Sequence, residues 1–130
     1  MASAEKKILI VEDDPIFVSI LKEKFSQEGF LTFTAQDGKE GLGVLEREKP
    51  DLVIADVLLP ILSGLDMAKQ IKEKNEDAPI IFLTNVKDDS HLEEIKEMKK
   101  VDYLIKSDIS IDNIIERAKL MLMLKNLKKG

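Results

Sequence analysis

Short apolar runs separated by longer mixed stretches set the pattern of this chain. They fall at residues 8–11, 30–33, 52–55, 80–83 and 103–105 and are rich in Val, Ile, Leu and Phe. Runs this short fit strands buried on both faces. Between them the apolar residues recur at helical spacing, so strand and helix alternate five times. Such alternation predicts parallel strands joined by right-handed helical crossovers, with helices on both faces of one sheet. The expected fold is an open α/β sandwich.

The punctuation fits. Pro15 belongs in the first turn of a helix carrying Ile16, Ile20, Leu21 and Phe25 and ending at Gly29, with Asp14 as its cap. Asp37-Gly38 opens a second helix, and Ser63-Gly64 precedes a third with Leu65, Ala68 and Ile71 on one stripe. Asp77-Ala78-Pro79 reads as the turn into the fourth strand, and Asp88-Asp89-Ser90 offers caps for the fourth helix. The last helix, from about Ser110, has Ile111, Ile114, Ile115, Ala118, Met121 and Leu122 at core spacing. Leu120, Met123, Leu124 and Leu127 widen that face beyond what one sheet contact requires. Phe17, Phe25, Phe30, Phe33 and Phe82 read as packing residues rather than a base-stacking platform.

Composition narrows the classes. At 130 residues, 44% hydrophobic and 35% charged, the chain can bury a core as one globular domain without disulfides. A net charge of −5 opposes nonspecific nucleic-acid binding, so no direct nucleic-acid contact is expected. With no cysteine and only His91, thiol chemistry and multi-histidine metal sites are excluded. His91, near the start of the fourth helix, is expected to face solvent. No run is long enough to span a bilayer and the first residues lack a signal-like apolar stretch, so the expected location is cytoplasmic.

Chemistry concentrates where the strands end. The first run is followed by Glu12-Asp13-Asp14 and the third by Asp56, which would bring several carboxylates to one rim of the sheet. Such a cluster suits a divalent cation. Taken alone, Glu12 to Asp14 fit a turn and helix cap equally well. The fourth run ends in Thr84 and the fifth in Lys106, adding a hydroxyl and an ammonium at the same rim. Acids holding Mg²⁺ opposite a hydroxyl and an ammonium can hold a phosphoryl group, and an aspartate there can accept it covalently.

In this ordered set of strand-end residues the chain resembles the receiver domain of two-component response regulators, from about Lys7 to Lys125. The resemblance implies a doubly wound five-stranded parallel sheet of the flavodoxin-like type, strand order 2-1-3-4-5, with five helices on two faces. It implies a receiver over residues 7–126, between a loose start at 1–6 and a tail or linker at 127–130. Asp56 is then the phosphorylated aspartate. Asp13 is a direct ligand of Mg²⁺ (or Mn²⁺), with Glu12 acting directly or through water, beside Asp56 and the backbone carbonyl of Leu58. Thr84 matches the switch hydroxyl, Lys106 its ion-pairing partner and Tyr103 the aromatic whose rotamer reports the switch. The implied partners are a sensor histidine kinase or phosphotransfer protein and a downstream protein or output domain. A homodimer through the fourth and fifth helices stays open.

Three positions depart from the family pattern. Asn85 stands where a small residue is usual, which predicts slower phosphorylation or hydrolysis at Asp56. Ser107 stands where proline usually follows the lysine, so that peptide is expected to be trans. Lys99-Lys100 replaces a frequent Gly-Ala, leaving the fourth helix without its usual terminator. Three other classes compete. An aspartyl phosphotransferase with turnover on external substrates would need a second acid two residues after Asp56, where Leu58 stands. A receiver-like binding module would bind Mg²⁺ without accepting phosphate. A flavin- or dinucleotide-binding protein would need the glycine-rich loop that is missing after the first strand.

Overall fold

The computed structural model describes residues 5–74, 78–85 and 89–129, with only the backbone described at 89–91 and 126–129. Asp77 and Asp88 lie outside the described residues, as does the side chain of His91. Five strands alternate with five helices: β1 (Lys7–Val11), α1 (Pro15–Gln27), β2 (Leu31–Ala35), α2 (Gly38–Glu48), β3 (Leu52–Asp56), α3 (Gly64–Glu73), β4 (Ile80–Thr84), α4 (Asp89–Lys96), β5 (Val101–Ile105) and α5 (Ile111–Lys129). All strand pairs are parallel, in the order β2-β1-β3-β4-β5. The doubly wound topology is as expected.

Why the strands read as continuous apolar runs is visible in the two cores. Leu9, Val11, Val53, Ala55, Ile80 and Phe82 point to one face, beneath α2, α3 and α4. Their neighbours Ile8, Ile10, Leu52, Ile54, Ile81 and Leu83 point to the other, beneath α1 and α5. Side chains alternate with period two, and both faces are covered, so neither set can be polar. The edges are less buried. Leu31 is 42% exposed on β2, and β5 is half-buried throughout.

Helix starts follow the capping residues. Asp14, Asp37 and Ser63 each accept hydrogen bonds from backbone N–H groups in the first turns of α1, α2 and α3. The end of α1 explains a difference in the second strand, which begins at Leu31 rather than Phe30. Gly29 takes φ +91°, its N–H donates to Ser26 O, and the Phe30 N–H donates to Phe25 O. This Schellman closure draws Phe30 onto Phe25, the rings meeting edge to face at 5.6 Å. Phe30 therefore completes the helix instead of starting the strand.

Two further differences concern helices. Ile16 and Ile20 share the apolar pattern of α1 yet are 72% and 46% exposed, while Leu21 and Phe25 are buried. On α5, Ile114, Ile115, Ala118 and Leu122 are buried, but Leu120, Met123 and Leu124 remain exposed. Backbone helix continues to Lys129, with no breaker in the sequence before Gly130. The left-handed residue of the turn before β5 is Lys100, at φ +60° and in the place of the alanine rather than the glycine of the Gly-Ala pair, and its carbonyl accepts from the Ile80 N–H. No peptide among the described residues is cis, so Lys106-Ser107 is trans and enters a short 3₁₀ turn, Lys106–Asp108.

Candidate phosphoacceptor site

Chain reversal positions the site. From β1 the chain winds to β2 on one side and returns to β3 on the other, so a crevice opens beyond the carboxyl ends of β1 and β3. Glu12 leaves β1 there and Asp56 is the last residue of β3. Lys106, just after β5, reaches across to both.

The Lys106 ammonium lies 3.0 Å from Asp56 Oδ2 and also donates to Glu12 Oε1. Its ammonium nitrogen sits 4.7 Å from the centroid of the Phe17 ring, inside cation–π range. The other oxygens are used as well: Asp56 Oδ1 accepts the Leu58 N–H at 3.1 Å, and Glu12 Oε2 accepts the Asp14 N–H at 3.1 Å. Glu12 is 4% exposed. Burial pushes its carboxyl above the ordinary value; the bonds from Lys106 and the Asp14 N–H pull it back without cancelling that push. Burial alone would lower the Lys106 ammonium, but its bonds to Glu12 and Asp56 outweigh this and hold it above the ordinary lysine value. Two carboxylates share one cation.

Around this centre, Asp13 is exposed at the mouth of a cleft of about 450 Å³ bounded by Val18, Lys22, Thr34 and Gln36. Thr84 is 2% exposed and lies one residue beyond Leu83, which pairs with Asp56 in the sheet. Tyr103 is half-buried and packs against the core beneath α4. Asn85 is exposed. The loop after Asp56 is held close by two glycines: a Cβ at Gly64 would collide with the Asp56 carbonyl, and one at Gly38 with the Leu62 carbonyl. Ile61 in that loop has φ +68°, an uncommon conformation for a β-branched residue, and is 80% exposed.

Sequence reasoning had Glu12, Asp13, Asp56, Thr84 and Lys106 at one rim, and they lie at the ends of β1, β3, β4 and β5. It did not pair Glu12 with Lys106, and it read Phe17 only as packing. Among the described residues no three acidic or histidine side chains converge on one point as a ready metal cage. The donors present are carboxylate and carbonyl oxygens, the class that Mg²⁺ takes while keeping several waters. In donor chemistry, the carboxylates that follow β1 and end β3 suit such a partly hydrated ion.

The family model described as the response regulator receiver domain matches residues 8–119. The chain belongs to the response-regulator receiver family. Sporulation initiation phosphotransferase F of Bacillus subtilis is 33% identical over 121 residues, 93% of this chain and 97% of that protein. The alkaline phosphatase synthesis transcriptional regulatory protein PhoP of the same organism is 42% identical over 79 residues, 61% of this receiver but 33% of its own length. The receiver thus spans about a third of one curated relative and nearly all of another. Among solved structures, the receiver domain of the Francisella response regulator 1452 superposes with a TM-score of 0.84 at 30% identity, covering 93% of this chain and 99% of that one. Receiver domains are signalling domains rather than turnover enzymes, and the family typically uses Mg²⁺. No helix among the described residues is long and apolar enough to cross a membrane.

Proposed function

We propose that this receiver accepts a phosphoryl group on Asp56 from the phosphohistidine of a sensor kinase or phosphotransfer protein, and passes the resulting change to a downstream protein or output domain. The reading is supported above all by the Lys106 ammonium 3.0 Å from Asp56 Oδ2, beside a second buried carboxylate. An Asp56 carboxylate oxygen attacks phosphorus, the P–N bond of the donor breaks, and its electron pair leaves with the imidazole nitrogen. Mg²⁺ held by Asp13, Asp56 and the Leu58 carbonyl, with Glu12 directly or through water, would neutralise charge on the phosphoryl oxygens. Lys106 then faces the phosphoryl group, and the Thr84 hydroxyl moves onto it from the neighbouring strand. Because Thr84 on β4 pairs with Ile105 on β5, two residues beyond Tyr103 on the same strand, that movement biases the position of Tyr103 and the surface of α4 and β5. The same face, with the exposed side of α5, is where a homodimer would form. A cytoplasmic location accords with this chemistry.

Incubation with acetyl phosphate and Mg²⁺, followed by intact mass, should show one phosphoryl adduct that Asp56→Asn abolishes. Persistent labelling in that variant would reassign the acceptor. A folded protein that binds Mg²⁺ yet forms no adduct would instead be a binding module on this fold.

A further inference from the structure

Lys106 is held by more than its two carboxylates. Its ammonium rests over the Phe17 ring at 4.7 Å, and Phe17 is itself anchored at the start of α1. Asp14 Oδ1 accepts the Ile16 N–H at 3.0 Å and the Phe17 N–H at 3.4 Å, while the Asp14 N–H donates to Glu12 Oε2 at 3.1 Å. Glu12 Oε1 accepts from Lys106. The contacts close a circuit through Lys106, Glu12, Asp14 and Phe17, joining the strand-end lysine to the first turn of α1. The Lys106 side chain is 13% exposed, so the ring replaces water on one side of the charge. A face of negative quadrupole attracts an ammonium most where water is excluded.

We infer that Phe17 is a positioning residue: its ring face seats the Lys106 ammonium beside Asp56, so that the charge is already in place when a phosphoryl group arrives. The inference rests on the phosphoacceptor reading. The ring combines two properties that neither an aliphatic side chain nor a further carboxylate has together. It attracts the ammonium without hydrogen-bonding it, leaving its N–H donors for Glu12, Asp56 and a phosphoryl oxygen. It also adds no negative charge to a rim that already carries three carboxylates.

The test separates ring electronics from packing. Fluorinated phenylalanines with one, two and three fluorines at position 17 keep the shape of the ring while withdrawing electron density from its face. Beryllium fluoride, with Mg²⁺, stands in for the phosphoryl group, and its affinity is read by titration. Affinity is expected to fall stepwise with each fluorine, to about three- to tenfold in all, and Phe17→Leu should match the trifluoro variant. Phe17→Tyr, which keeps the ring, should retain wild-type affinity. In parallel, the Lys106 ε-methylene protons should carry an upfield ring-current shift in the free protein that Phe17→Leu removes. Equal affinity across the fluorinated series would overturn the seat even if Phe17→Leu binds weakly, since that loss would be packing alone. Absence of beryllium fluoride binding to wild-type protein would count against the phosphoacceptor reading itself; the ring-current shift would then decide whether the seat exists.

Discussion

The two ends of β3 each carry an aspartate beside a lysine, and they behave differently. Before the strand, Asp51 accepts the Lys7 N–H at 2.8 Å through Oδ2 and lies 3.9 Å from the Lys125 ammonium through Oδ1. One carboxylate there meets one ammonium and one backbone donor. After the strand, Asp56 shares Lys106 with Glu12, and Asp13 stands exposed close by. Among the described contacts, one carboxylate meets one ammonium at the first end, whereas two carboxylates share one ammonium at the second. A balanced pair at an edge pins chain ends together and asks for nothing further. An unbalanced pair, one member of which is 4% exposed, keeps an unmet demand for positive charge. The same residue types thus serve as a structural tie at one rim and a candidate reactive centre at the other.

Lys106→Met should break the contrast most severely. It leaves Glu12 buried without its countercharge, and we expect a loss of about 2–3 kcal/mol at pH 7, read by urea unfolding. The loss should shrink towards pH 4, where Glu12 takes up a proton. It should also shrink at high pH. The folded-state value of Lys106 is raised above the ordinary 10.5, so its contribution is full below that value and is lost as pH rises through the raised one. A penalty independent of pH would mean that packing of the lysine stem, not its charge, is what the fold uses.

A smaller effect of opposite sign is expected from Glu12→Gln. The Glu12 carboxyl is raised, so the folded state favours its protonated form, and stability falls as pH rises from 4.5 through the folded value. Gln resembles the protonated form. The variant should therefore gain about 1 kcal/mol over wild type at pH 7 and nothing near pH 4. Destabilisation at pH 7 would show that the bond to Lys106 outweighs the burial cost.

Asp51→Asn sharpens the comparison from the balanced end. The amide oxygen can still accept the Lys7 N–H, while the pair with Lys125 at 3.9 Å loses its charge. A cost of about 0.5 kcal/mol is expected, with acetyl phosphate uptake unchanged. Reduced uptake would mean that the two rims are coupled through β3.

How much was legible in the sequence varies by element. β1, β3 and β4 were plain because burial on both faces forces an unbroken apolar run, and nothing local competes for those residues. At β2 the helix cap claimed Phe30, a choice made by the αL geometry at Gly29 and by the Phe25 ring. On α1 the apolar pattern is wider than the buried stripe: Ile16 and Ile20 look like core residues in one dimension and turn outward in three. The strand-end chemistry was readable because topology delivers the last residue of each parallel strand to one rim, whatever the helices between them contain. Pairings within the rim were not. Glu12 could have faced a cation or Lys106, and nothing in its position along the chain distinguishes the two.

The chain by itself determined the alternation of strand and helix, the starts of α1, α2 and α3 and the polar residues at the strand ends, since each follows from local burial and backbone hydrogen bonding. Only the tertiary structure decided that one ammonium is shared by Glu12 and Asp56 and rests on Phe17. Contacts between residues as distant along the chain as Glu12 and Lys106 depend on how sheet and helices pack, which no local pattern encodes.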